Sequence, residues 1–268
     1  MMIGVSQIAL EPVTDVTVGG WIAPRLGPFG GWVGSVAPRG YAAYARVLHP
    51  VPDAHDRPAR WAQVCAATGR RPHALMQWHA IAGVIETQVE TRSGTALTKT
   101  MLWPGAEPEV GNLEPDALRT LCGVLAGHAA PGQDCFFALW EGRGWIHGSP
   151  SVAVANLDGS SEPVPPAFPP EVIDGPRLRH PGRNYLLFTG PLSAALDLGD
   201  PRGVWLQSPN LFWSAERSWC VATEIDFDST IVAGSSELIA AVLAEPRLEA
   251  WPVDPDDSLA YDGDTVNT

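Results

Sequence analysis

Residues 218–231 read SWCVATEIDFDSTI, and whether this stretch runs straight decides the fold. From Trp219 to Phe227 it has the Trp, Val and Ile enrichment of a strand, and the period-2 pattern predicts one over 218–227. Val221, Thr223, Ile225 and Phe227 would face a core. Glu224, Asp226 and Asp228 fall at every second position and would share the other face. Same-face residues on a strand lie roughly 6.5–7 Å apart. At that spacing two carboxylates repel by roughly 2–2.5 kcal/mol at an effective dielectric of about 20. A dry acidic face therefore needs arginines, a cation or raised pKa values, whereas a wet face needs nothing.

Outward from that stretch, the same period predicts strands at 40–50 (GYAAYARVLHP), 135–140 (CFFALW), 151–156 (SVAVAN) and 184–190 (NYLLFTG). Helices are predicted at 58–68, 115–127 and 236–244, with a shorter fourth through 73–82. Asp56 is placed to cap the first and Ser235 or Ser236 the last. Residues 1–40 are broken by Gly and Pro and suit short strands or a hairpin. Seven prolines between 162 and 182 predict a surface loop of polyproline character, or a linker. The irregular interleaving predicts an α+β fold, with a mostly antiparallel or mixed sheet and three or four helices. Residues 1–253 form one domain in this reading. The tail at 254–268, with five Asp, is expected to be acidic and mobile.

Composition narrows the function classes. The net charge is −13, and residues 135–268 carry 19 acidic against 7 basic side chains, about −12. Such a field repels nucleic acid and anionic membrane and attracts basic proteins or cations. The four cysteines are far apart in sequence, which predicts buried free thiols in a reducing compartment. No apolar run reaches membrane-spanning length and the N-terminus lacks a basic leader, so a cytoplasmic location is expected.

Two arrangements can carry function. The acidic C-terminal half can dock a basic protein partner, with Glu224, Asp226 and Asp228 steering the encounter and Trp213 or Trp219 as the apolar anchor. No cofactor is then needed. Alternatively, Glu224, Asp226 and Asp228 can hold a divalent metal ion for hydrolysis, joined by His49 or His55 from HPVPDAHD (49–56). Nucleophilic catalysis has little support, since no G-x-S-x-G elbow is present and nothing marks any of the four cysteines as reactive.

The segments GYAAYARVLHP, RWAQV, CFFALWEGRG and LFWSAERSWCVATEIDFDSTIVAGSSELI resemble an uncharacterised protein family of GC-rich bacteria, over most of residues 40–253. That resemblance implies no catalytic residue or cofactor. LWEGRG is also similar to the strand-then-glycine turn of the immunity-protein superfamily related to the yeast cell-wall regulator Smi1. Those are acidic α+β proteins, and this similarity implies an immunity-like binding protein that pairs with a basic toxin.

Overall fold

The computed structural model describes residues 10–91, 94–130, 132–155, 161–199 and 206–267. Its centre is a nine-stranded antiparallel sheet. In chain order the strands are β1 (Glu11–Pro12), β2 (Ala43–Leu48), β3 (Cys135–Trp140), β4 (Leu178–His180), β5 (Arg183–Gly190), β6 (Leu211–Ser214), β7 (Cys220–Ala222), β8 (Ser229–Gly234) and β9 (Ala250–Val253). In space the order is β1-β5-β3-β6-β7-β8-β2-β9, and β4 shares the outer edge of β5 with β1. The fold is α+β, as its sequence pattern predicts.

Alternation along the strands sorts side chains onto two faces. Val47, Phe137, Leu139, Leu186, Phe188, Phe212, Val221 and Val232 face one way. Helices α2 (Pro115–Ala126) and α3 (Ser236–Ala244) cover them with Leu118, Leu121, Leu125, Leu238, Ile239 and Val242. Tyr44, Tyr185, Leu187, Leu211, Trp213, Cys220 and Ile231 face the other way. There the cover is not helical: Ile22, Val33, Val36 and Leu259 come from the glycine- and proline-rich N-terminal segment and the C-terminal tail. Burial on both faces is why CFFALW shows no polar alternation, since neither face of β3 is left to water. A third cluster joins helix α1 (Trp61–Thr68) to Leu48, Met76, Trp78 and Ile81.

Several expectations are corrected. The 218–227 strand ends at Ala222. Because β7 and β8 pair antiparallel, with Ala222 opposite Ile231, the chain must reverse between them, and residues 223–228 make that reversal. Residues 10–40 hold one short strand, two 3-10 turns (Val16–Gly19, Ala23–Arg25) and a helical turn (Val33–Val36) rather than a hairpin. The proline-rich stretch is partly regular. It contains a strand (Ser161–Val164) paired with Ser149–Ala155, a helical turn (Pro170–Ile173) and β4. Asn156 and the first nine residues lie outside the described residues. Only Trp78–Ile81 is helical within 73–82. Asp56 sits in a turn at φ 58 and caps nothing. The carboxylate of Glu249 instead takes the first N–H groups of α1, from Trp61 at 2.6 Å and Ala62 at 2.9 Å. A sequence-distant cap satisfies the orphan donors as well as a local one.

The tail, expected to be mobile, is tied down. Val33 N–H donates to Asp257 O at 3.0 Å, and Leu259 N–H to Gly31 O at 2.6 Å. Asp264, its side chain 1% exposed, accepts from His73 Nε2, Gln77 N–H, Val266 N–H, Asn267 N–H and the Asn267 side-chain amide. Asn267 in turn bonds both backbone groups of Arg71. Burial raises the Asp264 carboxyl, but these donors outweigh it and hold the group down at about 2. Asp264→Ala is therefore expected to cost about 2–3 kcal/mol and to free the tail. Limited proteolysis reads this directly: cleavage within 254–267 should accelerate in the variant, and unchanged cleavage would contradict the anchoring role.

Among the described residues no helix is long and apolar enough to cross a membrane.

Candidate functional site

The reversal at 223–228 is held from both ends. Thr223 N–H donates to Asn210 O, Phe227 N–H to Glu224 O, and Gly111 N–H to Phe227 O at 2.8 Å. Gly111 has φ +70, and a Cβ there would stand 2.5 Å from Ile225 O, so only glycine lets the two loops touch.

Glu224, Asp226 and Asp228 do not form one face. Arg183 takes two of them, with Nη2 at 2.7 Å from Glu224 Oε1 and 2.6 Å from Asp226 Oδ2. Its guanidinium lies 5.0 Å from the Phe29 ring centroid, a cation–π distance. Asp228 is bound by a different arginine, Arg46, at 3.4 Å. The acids are divided and paired, not gathered as a ligand set. Among the described residues no group of three or more His, Cys, Asp or Glu is arranged to hold a metal ion.

His49 does meet this turn, but only through its backbone, whose N–H donates to Asp228 O at 3.0 Å. Its ring is 1% exposed and both nitrogens are used. Nδ1 contacts Glu109 O at 2.6 Å and Nε2 contacts Thr230 Oγ1 at 3.0 Å, with Thr223 Oγ1 a further 2.8 Å on. The carbonyl accepts only, so Nδ1 carries the proton and Nε2 accepts from Thr230. Burial pushes His49 down to about 4. It is a neutral core histidine. His55 is exposed, and its backbone N–H donates to Asp53.

Trp213 and Trp219, expected as partner anchors, are fully buried on opposite faces of the sheet. Trp213 stacks on Phe136 at 5.6 Å and Trp219 meets Phe212 edge-on at 5.8 Å. The exposed residues of the 209–219 segment are Ala215–Ser218, with no aromatic among them. Exposed aromatics lie elsewhere: Phe29 (57%), Trp32 (50%) and Tyr261 (75%). Trp32 pairs with Ser258 of the tail, and Phe29 stands over Arg183.

Between the reversal and the tail lies a cleft of about 330 Å³, lined by Arg46, Gln77, His79, Asp226, Asp228 and Tyr261, with Trp78 beside them. Arg46 is 1% exposed and its donors are taken by Ser229 Oγ (2.9 Å), Ala74 O (3.1 Å), Met76 O (2.9 Å) and Asp228. At 3.4 Å the Arg46–Asp228 contact is longer than a strong charge-assisted bond. The Asp228 carboxylate, 19% exposed, keeps acceptor capacity toward the cleft. Burial pushes its pKa up against the pull of Arg46. His79 stacks on Tyr261 with ring centroids 3.5 Å apart, and burial pushes its pKa down against Asp264 and Asp228. The hydroxyl of Ser229 accepts from Arg46. The four thiols are buried and free, and burial raises each, Cys65 and Cys135 to about 11 and Cys122 to about 12. Carboxylates and aromatic faces, not an activated nucleophile, define the cleft.

Of the sequence candidates, Asp226 and Asp228 line this cleft. Glu224 sits beside it on Arg183, while His55, Trp213 and Trp219 are absent from its lining. Arg46, His79, Gln77 and Tyr261 were not singled out by sequence. One signal was available: an arginine in the middle of the apolar strand AYARVL must be paired if both faces are buried.

The chain matches no protein-family model, no curated protein and no solved structure.

Proposed function

We propose that the protein is a non-enzymatic binding protein that receives a basic side chain of a protein partner in the cleft between residues 226–229 and Tyr261. The supporting observation is the pairing of Asp228, a carboxylate with spare acceptor capacity, with the rings of Tyr261, Trp78 and His79 around one opening. A guanidinium or ammonium group is the complement of both, through a charge-assisted bond and a cation–π contact. The net charge of −13 favours encounter with such a partner and disfavours nucleic acid. An immunity-like role against a basic toxin in the cytoplasm is the biological form of this reading, and the buried free thiols are consistent with a reducing compartment. The anchors move from Trp213 and Trp219 to Tyr261, with Asp226 on the rim.

The test is calorimetric titration of an octapeptide of alternating Arg and Ser at several salt concentrations. Binding is expected to weaken as salt rises, and Asp228→Asn to weaken it about 10-fold or more, from the loss of one charged hydrogen bond. An affinity indifferent to both salt and the substitution would remove this reading.

A further inference from the structure

A second, larger groove of about 480 Å³ adjoins the cleft, and the two share His79 and Tyr261 as a common wall. Its character is different. Val84, Ile85, Leu102 and Tyr261 line it, with Ile85 58% and Leu102 63% exposed. These are large apolar surfaces with no protein cover, next to a carboxylate-bearing cleft. Leu102 is fixed rather than loose: its N–H donates to Ala82 O at 2.9 Å, and its side chain closes over Gly83 so tightly that a Cβ there would lie 2.6 Å from Cδ1. Gly83 has φ +63, which matches its lack of a side chain. Gly83 thus leaves the room that the Leu102 side chain fills at the edge of the groove.

Resting on the proposed function, we infer that the partner's segment carries an apolar side chain close to its basic one, and that Ile85, Leu102 and Tyr261 receive the apolar residue while Asp228 receives the cation. Two features commit the groove to this occupant. It is continuous with the acidic cleft across a wall of two stacked rings. Same-side residues i and i+2 of an extended segment stand roughly 6.5–7 Å apart, which sets the Arg-to-Leu spacing of the test peptide. The charge balance is also complementary to a basic segment. Asp228 and Asp262 line the two openings against Arg70, while Arg46 and Asp264 are committed to internal partners and Asp226 is shared with Arg183. Tyr261, with one face stacked on His79, borders both openings with the rest of its ring, which accounts for an aromatic ring left 75% exposed yet stacked in place.

The experiment compares two synthetic heptapeptides, Ser-Gly-Arg-Ser-Leu-Gly-Ser and the same sequence with Ser in place of Leu. Each is titrated into the full chain, into Ile85→Ser/Leu102→Ser, and into Asp228→Asn. Ile85 and Leu102 are exposed, so their replacement leaves the core intact. The Leu peptide should bind the parent about 10-fold tighter, the effect of burying one Leu side chain. That advantage should vanish in Ile85→Ser/Leu102→Ser, while Asp228→Asn weakens both peptides alike. Equal affinity of the two peptides for the parent, with Asp228→Asn still weakening both, overturns the groove and leaves the acidic cleft standing. If neither peptide binds, or Asp228→Asn changes nothing, the reading of the cleft fails and takes this inference with it. Sedimentation of the parent alone supplies a further arm. A dimer dissociated by Ile85→Ser/Leu102→Ser would assign the groove to a second copy of the chain and overturn the partner proposed here.

Discussion

Arg46→Met is expected to lower the unfolding free energy by about 3–5 kcal/mol, the scale for removing one partner of a buried, hydrogen-bonded charge pair. The guanidinium is 1% exposed in the middle of β2 and donates to four acceptors from two other parts of the chain, residues 74–76 and 228–229. Met fills similar volume but supplies no donor. The carbonyls of Ala74 and Met76 would lose their bonds, and the partly buried Asp228 carboxylate would be left unpaired. The contact of Arg46 over the Trp61 ring, 5.6 Å from its centroid, would be lost as well. Urea unfolding measures the effect as a fall in midpoint at constant slope. The double variant Arg46→Met/Asp228→Asn separates the causes. Neutralising Asp228 removes the stranded charge, so part of the loss should return in the double variant. If the double variant is no better than Arg46→Met alone, the cost lies in the carbonyls and the packing rather than in the ion pair. A loss under 1 kcal/mol for Arg46→Met would show that the network is not structural at all.

That network explains how far the sequence could be read. Helices announce themselves by local pattern. The i, i+3, i+4, i+7 spacing of Leu118, Leu121, Cys122 and Leu125 and the cap at Ser235 fall within one residue of the observed ends. Strands CFFALW and NYLLFTG are legible for the same reason, since their burial is written in consecutive residues. What failed depends on distant partners. The run from Thr223 to Asp228 has strand composition, yet it reverses because β8 must return beside β7 and because Gly111 leaves room for Ile225. The alternating acids look like one face. They are assigned to separate arginines, Arg183 and Arg46, which lie about 40 and 180 positions away in sequence. The tail has too little apolar area to predict order, and its anchoring comes from polar bonds to Arg71, His73 and Gln77. Trp213 and Trp219 beside acids look like a hot spot, but both faces of the sheet are covered, so both go inside. The exposed aromatics instead come from the least regular sequence, at residues 29, 32 and 261.

Acid is expected to unfold this protein through His49, and the sign follows from its burial. In the unfolded chain the imidazole titrates near 6.5, whereas in the fold it is held to about 4. Between those values the unfolded state binds a proton that the folded state refuses, so stability is complete above pH 6.5 and is lost as pH falls toward 4. The loss is about 1.4 kcal/mol per unit, reaching about 3 kcal/mol at pH 4. The cause is desolvation: with Nδ1–H given to Glu109 O and Nε2 accepting from Thr230, a second proton would turn the Thr230 hydroxyl round and place a charge in a dry site near Arg46. His180, also lowered to about 4 by burial, acts in the same direction. Asp228 and Glu249, both raised by burial, act oppositely: their ionisation costs stability at neutral pH, and part of it returns on acidification. Asp53 and Asp264, held at about 2, lose their contributions only at lower pH. A difference measurement isolates His49 from all of these. Gln can keep a donor for Glu109 O and an acceptor for Thr230 without titrating, so His49→Gln should be less stable than the parent at pH 8 and should lose less on acidification. The gap between the two, followed by urea unfolding from pH 8 to 4.5, should close by about 2–3 kcal/mol. A gap constant across that range would mean that the buried imidazole accepts its proton without cost, and the Thr230–His49–Glu109 chain could not be what holds β2 and β8 to the 109–111 loop.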